Sequence, residues 1–163
     1  MDAAELDAVD LDLLRLLAVD ARLSQRELAR RVSMSPPAVA ERVARLERAG
    51  VIRGYRAEID RERIGFPLVA IIGIEAVQGV EQQGLLKSLR TMPEVEDVHL
   101  ITGPRDLLVR LRLRDHDHLK ECLFNGIWPL DGVQRTETFV VMGGMEAKPF
   151  DAELIESVRR SVA

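Results

Sequence analysis

The sequence predicts an α+β protein in two parts. A helical N-terminal region is built around a helix-turn-helix, and a strand linker joins it to a C-terminal ferredoxin-like domain. Three observations carry this. Between Leu23 and Ala49 two short amphipathic segments flank a tight turn. From Leu68 onward the elements follow in the order strand–helix–strand–strand–helix–strand, the split βαβ arrangement. A chain of 163 residues that is 47% hydrophobic can fill two small cores.

The first helix spans Asp10 to Ala18, where Leu11, Leu14, Leu17 and Ala18 recur at a helical period. Asp7 or Asp10 is expected to cap it, and acids near a helix start suit its dipole. Ser24 is expected to cap the second helix, with Glu27 three residues on completing a capping box; Leu28, Ala29 and Val32 form its apolar face. Ser33, Met34 and Ser35 make the turn, and Ser33 stands where glycine would ease the backbone. Ser35 caps the third helix, and Pro36 and Pro37 sit in its first turn, where an absent N–H costs nothing. Ala38, Val39, Val43, Leu46 and Ala49 pack inward, Glu41, Arg42, Arg45 and Arg48 face out, and Gly50 stops the helix. Residues 51–59 then read as a strand, followed by a linker through Gly65 and Pro67.

In the second part LVAIIGIEA is a buried strand and Val80 to Met92 a helix. VEDVHLIT and DLLVRLRL form a hairpin through Gly103, Pro104 and Arg105. Asp115 to Trp128 is a helix that Trp128 and Pro129 close into the core, and VQRTETFVVM is the last strand. Phe150 to Val162 is a terminal helix that folds back or joins a neighbouring subunit.

Composition narrows the function classes. The chain opens acid-rich, so no secretory leader is expected, and no apolar run approaches a membrane span. Cys122 is the only cysteine, which leaves no internal disulfide and suits a reducing cytoplasm. No phosphate loop or nucleophile elbow is written in the sequence, so neither an enzyme nor a resident cofactor is expected. His99, His116 and His118 with Asp115 and Asp117 raise a metal site. However, His116 and His118 are two apart, a poor spacing for one helical face, and a helix cap explains the acids more simply. Cys122, among Leu119, Leu123 and Phe124, reads as a buried apolar residue.

The net charge of −4 hides an asymmetry. Residues 1–21 hold six acids and one Arg, residues 22–63 eleven Arg and six acids, and the remainder eleven basic and fifteen acidic residues. Positive charge is thus concentrated on the helix-turn-helix, all of it as arginine, the side chain suited to planar bidentate recognition of phosphate and guanine. A helix that starts sharply on a three-residue turn is the element that enters a DNA major groove. Arg42 and Arg45 lie three apart within reach of base edges or phosphates, against the plainer alternative of a solvated face with a Glu41–Arg45 pair. Ser35, Pro37 and Ala38 open the reading helix, where Ala38 can meet a thymine methyl, and Ser24 and Gln25 are candidates for phosphate contact.

The chain resembles the leucine-responsive regulatory protein/AsnC family. The matching residues are Leu6-Asp7, Asp10 and Leu13-Leu14; Arg22-Leu23-Ser24 and Glu27-Leu28-Ala29; and Ser35, Arg42-Val43, Leu46-Glu47 and Gly50 to Tyr55. Ile64-Gly65, Thr102-Gly103 and Asp106 to Leu108 complete the set. RxLExxGVIRGY followed at this separation by TGxxDLL is the specific part. The resemblance implies a winged-type DNA-binding domain over 6–66, with its helix-turn-helix at 25–44. It also implies an ACT-like effector-binding and oligomerisation domain over 67–146, with 147–163 as a C-terminal helix. Dimers assembling into tetramers or octamers, double-stranded DNA as partner and an amino-acid effector follow from the same resemblance. Two positions depart from the family's pattern. Pro104-Arg105 stands where many members have an acidic or aromatic pair, and Ser33 replaces the usual turn glycine.

By spacing alone Thr102 to Asp106 is an ordinary hairpin turn. Under the resemblance Thr102, Gly103, Pro104, Arg105 and Asp106 become the effector loop, with Arg105 and Asp106 supplying opposite charges for a zwitterion; Thr136 and Thr138, alternating on the last strand, line the same pocket or, by the plainer account, are polar core or edge residues. The competing expectations are an amino-acid-sensing module with a vestigial helix-turn-helix and, further off, an enzyme resembling the siroheme decarboxylases.

Overall fold

A computed structural model of the chain describes residues 5–77, 82–144 and 148–162. It divides into two compact units, one running up to Ala57 and including the C-terminal helix, the other Glu58–Gly144. In the first unit α1 spans Ala8–Val19, α2 Gln25–Arg31 and α3 Pro36–Arg48. Asp7 caps α1, and the reciprocal box forms there: the Asp10 N–H donates to the Asp7 carboxylate at 2.8 Å and the Asp7 N–H to Asp10 at 3.1 Å. On α2 only half of the expected box exists. Ser24 Oγ accepts from the Glu27 N–H at 3.2 Å, but the Glu27 carboxylate turns to Arg30 and Arg31, two cations that outbid a backbone N–H.

Ser33 is the one non-glycine with positive φ among the described residues, at +55°. It sits just past the α2 cap, where the Met34 N–H returns to the Ala29 carbonyl at 2.9 Å. A Cβ in this left-handed conformation costs roughly 1–2 kcal/mol. Ser33→Gly is therefore expected to raise the unfolding free energy of this unit by about 1 kcal/mol in urea denaturation; an unchanged or lowered midpoint would contradict it. At the end of α3 Gly50, at φ +70°, makes the corresponding turn, with the Val51 N–H on the Leu46 carbonyl at 3.0 Å. Ala49, expected inside, is exposed at that cap.

Leu13, Leu28, Ala29, Val39 and Val43 form the buried centre of the unit. The amphipathic reading of α1 captured only one of its two faces, since Leu13 is fully buried while Leu14, Leu17 and Ala18 line an apolar groove of about 870 Å³ with Val51, Ile52 and α6. α6, Phe150–Val162, packs on α1, tied by Arg159–Asp12 at 3.1 Å and Arg15–Glu156 at 3.8 Å. The strand expected over 51–59 does not form a ladder with any described segment. An alternating sequence favours extended backbone, but a strand also needs a neighbour to bond, and none of the described segments supplies one there.

The second unit is a four-stranded antiparallel sheet ordered β2-β3-β1-β4, with β1 Leu68–Ala76, β2 Val95–Leu100, β3 Leu107–Leu113 and β4 Val133–Val140. α4, Gln82–Thr91, follows β1; the expected start at Val80 and Glu81 lies outside the described residues. α5, His116–Glu121, continues as a π-helical turn over Cys122–Ile127. Ala70, Ile72 and Ile74 of β1 and Leu107, Val109, Leu111 and Leu113 of β3 pack with Leu85, Leu89, Leu119 and Ile127 into one core. Side chains alternate across a strand, so Val69, Ile71, Leu108 and Phe139 lie on the opposite face, which neither α4 nor α5 covers. No helix is long and apolar enough to cross a membrane among the described residues.

Candidate nucleic-acid interface and effector loop

The recognition helix is positioned by its own cap and by α1. Ser35 Oγ accepts from the Ala38 N–H at 3.4 Å, and Pro36 and Pro37 fill the first turn. Ser35, Pro37, Glu41 and Arg48 are exposed, and Ala38 is half-buried beside them. Ser24 and Gln25 are exposed at the start of α2.

Arg42 and Arg45 were expected as free outward cations, and the structure corrects this. Arg42 Nη1 donates to Asp7 at 2.6 Å and to Asp10 at 2.9 Å, while Arg45 Nη2 donates to both oxygens of Asp10 at 2.8 and 2.7 Å. Asp10 is fully buried; the Arg42 side chain is 26% exposed and that of Arg45 50%. The local alternative, a Glu41–Arg45 pair, also gives way to Asp10. A carboxylate out of water needs charged donors more than an exposed one does. Burial pushes the Asp7 carboxyl up, but the Asp10 N–H and the Arg42 guanidinium outweigh it and hold it below the ordinary value. Asp7 and Asp10 in turn hold Arg42 above its ordinary value. Sequence reasoning read the two acids only as caps. The available signal was an acid at position 10 set directly between Val9 and Leu11, with two arginines spaced i, i+3 on the later helix.

The free positive charge lies elsewhere. Of the eleven arginines between residues 22 and 63, six are paired with acids: Arg30, Arg31, Arg42, Arg45, Arg61 and Arg63. Arg22, Arg26, Arg48, Arg53 and Arg56 are exposed and have no ion-pair partner among the described residues. On α2 the hydrogen bonds from Arg30 and Arg31 pull the Glu27 carboxyl down to about 2. A carboxylate depressed from 4.5 stabilises the fold fully above pH 4.5 and loses that contribution as pH falls toward 2. The thermal midpoint of this unit is expected to drop across that window, and Glu27→Gln to flatten the drop; equal pH profiles would refute the assignment.

In the second unit Gly103, at φ +138°, and exposed Thr102 and Pro104 form the hairpin turn. Its two charges are already used. Arg105 lies flat over Gly73, where an added Cβ would come within 3.2 Å of its Cγ. Its guanidinium donates to the Pro104 carbonyl at 2.6 Å and to Glu137 at 3.0 Å, with Glu75 at 3.6 Å. Asp106 accepts the Ala76 N–H at 2.8 Å, locking the turn to β1. Thr136 and Thr138 do not join Arg105. They pair in register with Ile74 and Ile72 of the helix-covered face, whereas Glu137 pairs with Gly73 on the open one. Thr136 Oγ1 instead accepts the Trp128 Nε1–H at 2.9 Å. Trp128, expected in the core, is 45% exposed and stacks edge-on against Phe124 at 4.4 Å, because its indole N–H finds its acceptor at the sheet edge.

Glu94, His118 and Cys122 bring ligand atoms within 4.8 Å of one another. The histidine already uses both nitrogens: Nδ1 accepts the Arg114 N–H at 3.2 Å and Nε2 faces Glu94 at 3.1 Å. A metal on Nε2 would put a proton on Nδ1, against the Arg114 donor. Burial, with Glu94 and Glu121 nearby, pushes the Cys122 thiol up to about 11, far from a thiolate. Asp115 caps α5 through the His118 N–H at 2.8 Å, as the simpler reading of that cluster expected.

Two family models match the chain: winged helix-turn-helix DNA-binding over residues 6–53, and Lrp/AsnC ligand binding domain over 69–149. The chain is 34% identical over 139 residues to the leucine-responsive regulatory protein of Haemophilus influenzae, covering 84% of each. It is 33% identical over 140 residues to that of Escherichia coli K12, covering 85% of each. Among solved structures, it is similar to a Neisseria meningitidis transcriptional regulator in complex with L-Met, with TM-score 0.84 and 27% identity over 87% of this chain and 93% of that one. It is also similar to E. coli AsnC, with TM-score 0.82 and 28% identity over 88% and 98%.

Proposed function

This chain belongs to the Lrp/AsnC family of transcriptional regulators, and from that premise we propose that it is a sequence-specific DNA-binding regulator whose response is set by a small metabolite, an amino acid. The observation that carries the DNA half is the capped α2–α3 pair bearing a local excess of free arginine on an otherwise acidic protein. The DNA-binding region is 6–66. Ser35, Pro37, Ala38 and Glu41 approach the groove, Ser24 and Gln25 the backbone, and Arg45 with Arg22, Arg26, Arg48, Arg53 and Arg56 supplies the cations. It acts in the cytoplasm, by binding rather than by covalent chemistry.

The effector-binding region is 67–146. Since Arg105 and Asp106 are bonded internally, the loop offers a zwitterion mainly the exposed backbone of Thr102, Gly103 and Pro104, with the Arg105–Glu137 pair opening to meet opposite charges. The protein assembles as a homo-oligomer. The open sheet face with Ile71, Leu108 and half-exposed Phe139, and the unpaired 51–59 segment beside its apolar groove, are the surfaces a second copy would cover.

Gel-shift and footprinting on the DNA upstream of the protein's own gene test the first half, with a protected pseudo-palindrome expected. A thermal-shift screen of the twenty amino acids tests the second, because a ligand stabilises the state it binds. No protection at any salt, or no amino acid raising the midpoint, would reject the respective half.

A further inference from the structure

Asp10 sits fully buried on α1 and accepts four hydrogen bonds. Oδ1 takes Arg42 Nη1 and Arg45 Nη2; Oδ2 takes Arg45 Nη2 and the Asp7 N–H. A carboxylate has about four lone-pair sites, so this one is saturated. Both arginines belong to the same turn of α3, roughly 60° apart around its axis. One fixed carboxylate holding two such points sets the rotation of α3, and with it the aim of the Ser35–Ala38 end.

The two arginines are not equivalent. Arg42 is mostly buried and spends one nitrogen on both Asp7 and Asp10. Arg45 is engaged through Nη2 alone and is half exposed, so its remaining guanidinium edge stays free for a phosphate. We propose that Asp10 is the positioning residue of the recognition helix, gripping Arg42 and Arg45 together so that Arg42 is scaffold and only Arg45 keeps an edge for DNA. This rests on the DNA-binding reading above.

The test is the salt dependence of binding to a mixed-sequence 30-bp duplex, followed by fluorescence anisotropy on the full chain. Each lost phosphate contact lowers the slope of log Kd against log salt by about 0.9. Arg42→Gln is expected to leave the slope unchanged, since Arg42 meets only Asp7 and Asp10, and Arg45→Gln to make it shallower by about one. A slope about one shallower in Arg42→Gln, or an unchanged one in Arg45→Gln, would overturn the proposal. A second measurement needs no DNA: urea midpoints of Asp10→Asn, Arg42→Gln and the double variant. The double shift should be clearly smaller than the two single shifts together, and additive shifts would overturn the grip of Asp10 on α3. A flat salt response in the unaltered protein would reject the DNA-binding reading instead, and the urea cycle would still decide on Asp10.

Discussion

Raising salt from 50 to 200 mM is expected to weaken DNA binding by about 2,000-fold per DNA-binding unit, with about six phosphates contacted at a slope of about 0.9 each. The number six comes from the five arginines that the fold leaves unpaired, Arg22, Arg26, Arg48, Arg53 and Arg56, and from the free edge of Arg45. Had all eleven arginines of this segment been free, the loss would be orders of magnitude larger. Counting sequence charge therefore overstates the phosphate-binding capacity, and counting unpaired charge corrects it. Arg26→Gln with Arg48→Gln should reduce the slope by about 1.8. Isothermal binding curves at four or five salt concentrations measure it, and a double variant with the parental slope would show that these two side chains meet no phosphate.

Asp10→Ala is expected to destabilise the N-terminal unit by about 2–3 kcal/mol. Breaking a buried ion pair from one side costs about 3–5 kcal/mol. Arg42 and Arg45 both reach solvent and can rehydrate once released, which reduces that figure. The lost half of the Asp7–Asp10 box adds back several tenths. At roughly 4–8 °C per kcal/mol for a unit of this size, the thermal midpoint should fall by about 10–20 °C. Asp12→Ala, on the same helix but in the Arg159 pair with α6, serves as the comparison, since surface pairs are worth at most about 1 kcal/mol. Equal effects at the two positions would mean that burial of Asp10 contributes nothing special.

Sequence and structure agree most closely where local chemistry decides. Ser24 and Ser35 cap α2 and α3 because a hydroxyl one residue before a helix has free N–H groups within reach. Gly50 stops α3 because few other residues accept its backbone angle, and Ser33 bears the strain that its position announced. The βαββαβ order follows from apolar runs of the right length and spacing, and the sheet realises it with β1 and β3 at the centre. Family membership, too, was legible in short spaced patterns.

What only the tertiary structure decided is where each charge and aromatic ends up. Arg42 and Asp10 are 32 residues apart, and no periodicity links them; the packing of α1 against α3 turns an outward arginine into the partner of a buried acid. Residues 55–59 carry the alternation of a strand, yet pairing is a property of two segments, and this one pairs with no described segment. Thr136 and Arg105 were grouped by family analogy, but alternation along β4 puts Thr136 on the face opposite Glu137 and its Arg105 partner. By itself the sequence determined the elements, their caps and the family, because those depend on neighbours a few residues away. The free energy of a charged group depends instead on what the fold brings within about 3 Å of it, and that alone selected which arginines remain for DNA.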